Sequence, residues 1–269
     1  LIELPIGVFD SGVGGLTVLH ALEQRLPNER FLYLGDTARL PYGTKSPRTV
    51  QRYAMQAAQC LVERGIKALV VACNTASAVA LPALASRYAP LPVIGVVEPG
   101  ADTACAWTRT GCVGVIATES TIAGGAYQAA LLARRGELAI FARPCSLLVG
   151  LAEEGWTHGE IVESICREYL APWLVPEARI DTLVLGCTHF PLLAEAIGRV
   201  VGERMALVDS AATTAEAVVA MLSDSGLVNP AGRGGRELLA TDDARRFARV
   251  GSQFLGEGIE AAGIEIVDL

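Results

Sequence analysis

Cys73 and Cys187 each close a short apolar run and are each followed at once by small polar residues, in KALVVACNT over 67–75 and DTLVLGCTH over 181–189. A cysteine at the end of a buried strand is ordinarily a packed core residue, because a free thiol behaves as a small hydrophobe. Here the residues that follow, Asn74-Thr75 and Thr188-His189, are too polar for an interior and suit the mouth between a strand and a helix. Amides freed at a helix N-terminus would lower a nearby thiol from its usual pKa of about 8.5. One such thiol with a histidine, as at Cys187 and His189, suggests a nucleophile. Two at equivalent strand ends suggest different chemistry: a proton is taken from one face of a carbon and another is returned to the opposite face. Each thiol then serves as general acid in one direction and general base in the other.

The elements that must position them recur along the chain. Short β-branched or aliphatic runs, each leading into a turn and a helical stretch, lie at Ile6–Phe9, Phe31–Leu34, Ala68–Ala72, Val93–Val97, Val113–Ile116, Thr182–Gly186 and Ala206–Val208. Continuous apolar strands alternating with helices predict α/β architecture with parallel sheets covered on both faces. Ser46-Pro47 supplies an N-cap and a proline at the first helical position for a helix through Tyr53 to Val62. A further helix is expected over Ala211–Leu222, a surface loop over Gly226–Gly235 and a short helix near Asp242–Phe254. IGVFDSGVGGLTVLHAL at 6–22 is echoed by VGVIATESTIAGGAYQAAL at 113–131, as the two cysteine segments echo each other in the same order. The echoes set Gly7 over Gly114, Ser11 near Thr118 and Cys73 over Cys187, and suggest two related α/β halves. Ligands of open α/β sheets bind outside the carboxyl ends of the strands, so facing halves would put one thiol on either side of a shared cleft.

The remaining motifs are weaker. Asp10-Ser11-Gly12-Val13-Gly14-Gly15 resembles a phosphate loop but has Thr17 where the dinucleotide fingerprint needs glycine. Its amides suit a carboxylate, and Asp10 is either a turn residue or a group that tunes a thiol or holds the substrate amine. Gly43-Thr44-Lys45-Ser46 lacks the earlier glycine of a P-loop, since position 38 is Ala38, and Tyr42-Gly43 reads as an exposed loop edge. His20 and His158 read as structural or solvent-facing. His189 lies where a helix should begin and, lacking further ligands of metal spacing, reads as a hydrogen-bonding partner or acid. Glu153-Glu154 ends an apolar run from Leu147, where a charge pair is usually solvated. Pyridoxal phosphate needs a lysine, but Lys67 opens a strand at the end remote from the cleft and Lys45 lies in a loop. A cofactor-independent route, with no metal, is favoured.

The totals exclude other classes. The chain has 269 residues, 51% of them hydrophobic, and a formal net charge of −7. Its pI is near 5.1 and its mean hydropathy is +0.39. An acidic field attracts neither nucleic acid nor an anionic membrane, which makes a small molecule the expected partner. No apolar run is long enough to span a membrane and no basic leader precedes one, so a soluble, cytoplasmic protein is expected. Seven cysteines without CxxC spacing argue against a disulfide framework or a four-thiolate zinc site.

The segments GVFDSGVGGLTV, YLGDTARLPYGTKS, VVACNTASA, GVVEPG, VIATESTI, LVLGCTHFPLL and LVDSA closely resemble the glutamate racemase family, in order and spacing, from about residue 6 to residue 220. The resemblance implies cofactor-independent interconversion of L- and D-glutamate, supplying D-glutamate for peptidoglycan. It also implies two α/β domains related by pseudo-two-fold symmetry with the active site between them, residues 1–97 with 210–269 forming one and 98–209 the other, and a homodimer. By motif, Cys73 and Cys187 would be the catalytic acid/bases, Asp10 would assist Cys73, and His189 with Glu153, chosen over Glu154, would assist Cys187. Asp10, Ser11, Tyr42, Gly43, Asn74, Thr75, Thr118, Thr121, Thr188 and His189 would contact substrate. The residues alone leave open a racemase acting on aspartate or a hydantoin, a Cys187–His189 hydrolase, and a carboxylate-binding module with packed thiols.

Overall fold

The computed structural model describes residues 1–269, the side chain of Pro176 apart. Ten strands run β1 Ile6–Asp10, β2 Arg30–Gly35, β3 Ala68–Val71, β4 Val93–Gly95, β5 Cys112–Ala117, β6 Ala139–Pro144, β7 Thr182–Gly186, β8 Ala206–Asp209, β9 Gly235–Ala240 and β10 Ile264–Ile266. They form two sheets, in the orders β10-β9-β2-β1-β3-β4 and β6-β5-β7-β8. Every pairing is parallel. Parallel neighbours need crossover connections, and helices supply them on both faces of each sheet. On β1, Ile6 and Val8 pack into one apolar cluster with Leu16, Leu19 and Phe247, whereas Phe9 packs into another with Val50, Ala54 and Leu61. Burial on both faces is why these strands read as unbroken apolar runs.

The duplication seen in the sequence is a duplication of topology. β2-β1-β3-β4 and β6-β5-β7-β8 share one strand order, so β1 corresponds to β5 and β3 to β7. The register agrees as well: Gly7 lies opposite Leu69 and Gly114 opposite Leu183. Each cysteine then follows its leucine by the same four residues. β9 and β10 have no counterpart in the second sheet and extend the first beyond β2.

Most expected elements are present, with differences at their edges. The Ser46 side chain accepts a hydrogen bond from the Thr49 amide and caps the helix Pro47–Glu63, a cap worth about 1 kcal/mol. The run at Val93–Val97 stops being strand at Gly95, and a helix starts at Val97. The helix expected near Asp242–Phe254 spans Ala244–Leu255. Three strands, β6, β9 and β10, were not foreseen. β6 is only half-buried, and the first half of β9 is partly in solvent, so neither carries a continuous apolar run. β10 has three residues and an exposed outer end. Among the described residues, no helix is long and apolar enough to cross a membrane.

Candidate active site

The carboxyl ends of β1, β3, β5 and β7 meet around one cavity of about 150 Å³, below the roughly 300–1,000 Å³ of drug-sized sites and suited to something the size of an amino acid. Ser11, Tyr42, Gly43, Cys73, Asn74, Thr75, Thr118, Cys187, Thr188 and His189 line it, together with Pro41, Thr44, Ser146 and Val149. Asp10 stands behind Ser11, and Thr121 behind Thr75 and Thr118. The polar residues after each cysteine do not face bulk water: Asn74, Thr75, Thr188 and His189 are all buried. Tyr42 and Gly43, expected at an exposed loop edge, are buried too. The Tyr42 hydroxyl donates to Asp36, which also receives Arg39 and Thr241. That network folds the loop down over the cavity.

The two sheets are tied together at the site. The hydroxyls of Thr75, Thr118 and Thr121 form a triangle with sides of 3.0 to 3.1 Å. Thr17 donates to the Thr188 carbonyl at 3.0 Å. A Cβ on Gly14 would come within 2.5 Å of the His189 ring, so only glycine lets the β1 loop lie against the residues after β7.

Cys73 sits at the N-terminus of the helix Asn74–Tyr88, where its sulfur accepts from the Ala76 amide at 3.4 Å. It donates to Ser11 Oγ at 3.6 Å. The lowered thiol pKa expected from the helix terminus is not what results. Burial, reinforced by the Asp10 charge, pushes Cys73 up to about 12 against the smaller opposing effects of the Ala76 and Ser11 hydrogen bonds. Burial also raises Asp10. Its Oδ2 accepts from the Gly12 amide at 2.9 Å, while its Oδ1 is buried without a partner.

Cys187 has different neighbours. It is followed by a short 3-10 turn, Phe190–Leu193, and only then by the helix Ala194–Val201. His189 Nδ1 lies 3.8 Å from Cys187 Sγ, and its Nε2 lies 3.2 Å from Glu153 Oε1. Burial alone would lower His189, but the hydrogen bonds to Cys187 and Glu153, with the charges of Cys187 and Asp10, bring it up to about 10. Glu153 is lowered, first by the His189 hydrogen bond and then, against its own burial, by the His189 and Arg246 charges. Arg246 donates to Glu153 Oε2 at 3.0 Å, and Phe254 meets the His189 ring edge-to-face at 4.9 Å. Glu154 is exposed on the other side of the helix end.

His20 pairs with Gln24 on its own helix and His158 with Thr157, both at the surface. Lys67 is buried against Glu29 and the carbonyls of Ile2 and Leu227. Among the described residues, no three His, Cys, Asp or Glu side chains gather as a metal site would require. Sequence reasoning missed Tyr127, Arg246 and Phe254. Tyr127 lies within the echoed segment 113–131, where nothing local marks its hydroxyl; the other two lie beyond the recognisable motifs.

Two strand-end thiols line one small cavity between duplicated parallel sheets. Residues 6–218 match the family model described as Asp/Glu/Hydantoin racemase. The chain belongs to that family and is an amino-acid racemase. It is 52% identical over 252 residues to a glutamate racemase of Geobacter metallireducens, covering 93% of this chain and 92% of that one. Among solved structures, glutamate racemase from Thermus thermophilus in complex with beta-chloro-D-alanine is 45% identical with a TM-score of 0.90, covering 100% of this chain and 98% of that one. Glutamate racemase from Francisella tularensis in complex with D-glutamate is 36% identical with a TM-score of 0.92, at 100% and 98% coverage.

Proposed function

We propose that the protein interconverts L- and D-glutamate without a cofactor, by a two-base mechanism in which Cys73 and Cys187 act on opposite faces of Cα. The observation that carries this reading is that two cysteines at equivalent strand ends line one amino-acid-sized cavity. One thiolate removes the α-proton and the other thiol donates a proton to the opposite face, so the C–H electron pair stays on carbon and the centre inverts. Cys73, pushed up to about 12, starts protonated at neutral pH and is the donor in the direction in which Cys187 is the base; the roles exchange in the other direction. His189 and Glu153 assist Cys187, and Asp10 assists Cys73. Ser11, Tyr42, Gly43, Asn74, Thr75, Thr118, Thr121 and Thr188 frame the substrate, with backbone amides at the helix start opposite its carboxylate. Lys67, held by Glu29, is not free to form a Schiff base.

Residues 1–97 with 210–269 and residues 98–209 act as the two halves that enclose substrate, a division supported by the membership of the two sheets. The product D-glutamate serves peptidoglycan synthesis in the cytoplasm. A homodimer is part of this reading; exposed Trp156 and Ile161 line one shallow groove suited to such a contact, and sedimentation equilibrium tests it.

Purified protein without pyridoxal phosphate should bring the circular dichroism of either glutamate enantiomer to zero and exchange the α-proton in D₂O. No change and no exchange from either enantiomer would sink the proposal. Aspartate enantiomers and a hydantoin in parallel separate the substrates of the wider family, and growth of a D-glutamate auxotroph carrying the gene tests the cellular role.

A further inference from the structure

We infer that Tyr127 is a positioning residue that fixes which end of the Asn74 carboxamide faces the cavity, making Asn74 a dedicated carboxylate donor; this rests on the glutamate reading above. Asn74 follows Cys73, is buried and lines the cavity. Its Oδ1 accepts from the Tyr127 hydroxyl at 2.7 Å. Its Nδ2 is buried with no partner at all.

An amide can turn over and exchange the places of oxygen and nitrogen, so something must choose between the two orientations. With Nδ2 turned toward Tyr127, the hydroxyl would accept instead, and its own proton would be left buried and unpaired, which is costly. Burial holds the Tyr127 phenol far above its ordinary pKa, so it remains a donor. The satisfied arrangement turns both N–H groups of Asn74 away from Tyr127. They are left for an anionic oxygen of the substrate, beside the free amides of the helix Asn74–Tyr88.

Tyr127 is itself held from both sides. A Cβ on Gly186 would lie 2.9 Å from Tyr127 Cε2, and one on Gly100 would lie 3.4 Å from Cε1. The ring therefore backs the residue just before Cys187 while its hydroxyl grips the residue just after Cys73. One side chain, on the helix Ala126–Arg134, thus links the two thiol-bearing turns across the sheets.

The test is a double-mutant cycle with Tyr127→Phe and Asn74→Ala, beginning from an active wild type. Phe keeps the ring and removes only the hydroxyl, so the fold should persist, with the melting temperature lowered by roughly a few degrees for the buried acceptor left alone. In the wild-type background KM for both enantiomers should rise on the order of 10-fold, with a smaller fall in kcat, because an orienting donor has gone and a buried acceptor is left alone. In the Asn74→Ala background, Tyr127→Phe should change neither glutamate affinity by calorimetry nor KM. An unchanged KM in Tyr127→Phe, or an equal loss in both backgrounds, overturns the assignment, since the hydroxyl would then act on packing alone. A wild type inactive on glutamate would instead remove the reading beneath it, and this assignment with it.

Discussion

The turns at Cys73 and Cys187 end corresponding strands in matching register, yet one is surrounded by a carboxylate and the other by an imidazole. Cys73 is buried beside Asp10 and is pushed up to about 12, holding its proton. Cys187 lies 3.8 Å from a histidine that is itself brought up to about 10 and so is cationic at neutral pH. Duplication of a fold copies the backbone and the position of the sulfur but not the charged side chains: β1 ends at Asp10 where its counterpart β5 ends at Ala117, and His189 stands where the first half has Thr75. The difference teaches that topological symmetry need not bring electrical symmetry. A reaction that takes a proton with one group and gives one with the other calls for unlike protonation states at any instant.

The sharpest way to break the comparison is to remove either sulfur. Cys73→Ala and Cys187→Ala should each lower racemisation by at least about 10³-fold in both directions, since general acid–base groups contribute roughly 10²–10⁴-fold each and one turnover uses both. Polarimetry with each enantiomer checks this; a single variant that keeps substantial activity would mean that only one thiol works. Next come the neighbours. Asp10→Asn and His189→Gln should each cost on the order of 10²-fold. Enantiomers have equal free energy, so kcat/KM must fall equally in the two directions, but the isotope effect from Cα-deuterated substrate should not. It should grow for one enantiomer in Asp10→Asn and for the other in His189→Gln. Matching isotope patterns in the two variants would show the two sides to be equivalent after all.

Glu153→Gln should have a smaller effect, roughly 10-fold at neutral pH, with a signature in the pH profile. His189 stands at about 10 partly because Glu153 accepts from it. Loss of the carboxylate favours the neutral ring, so the alkaline limb of kcat/KM should move to lower pH; a limb that stays in place would detach Glu153 from His189. Smallest of all is Arg246→Ala. Its side chain is 49% exposed where it meets Glu153, and solvent screening limits such pairs to about 1 kcal/mol or less. A loss of a few-fold that shrinks with added salt is expected in steady-state rates.

Much of this was legible locally. β1, β3, β5 and β7 are buried on both faces and announce themselves as apolar runs, and the turn residues after them carry most of the cavity lining. β6, β9 and β10 were missed because a half-exposed or three-residue strand lacks that run. The protonation state of Cys73 was misjudged because its helix terminus is visible in sequence, whereas the depth of its burial is not. Glu153 and Glu154 are alike as letters; the turn of the helix Leu147–Glu153 puts the first against His189 and leaves the second in solvent.

The amino-acid order therefore decided what depends on near neighbours: the alternation of strand and helix, the repeat, and a sulfur at each of two strand ends. Packing decided what depends on residues far apart in the chain. Asn74 meets Tyr127 53 positions away, His189 meets Glu153 36 away, and Glu153 meets Arg246 93 away. Such pairs leave no periodic trace, because periodicity reflects the geometry of one element, whereas proton affinity and amide orientation are set by whatever other elements bring to the same buried place.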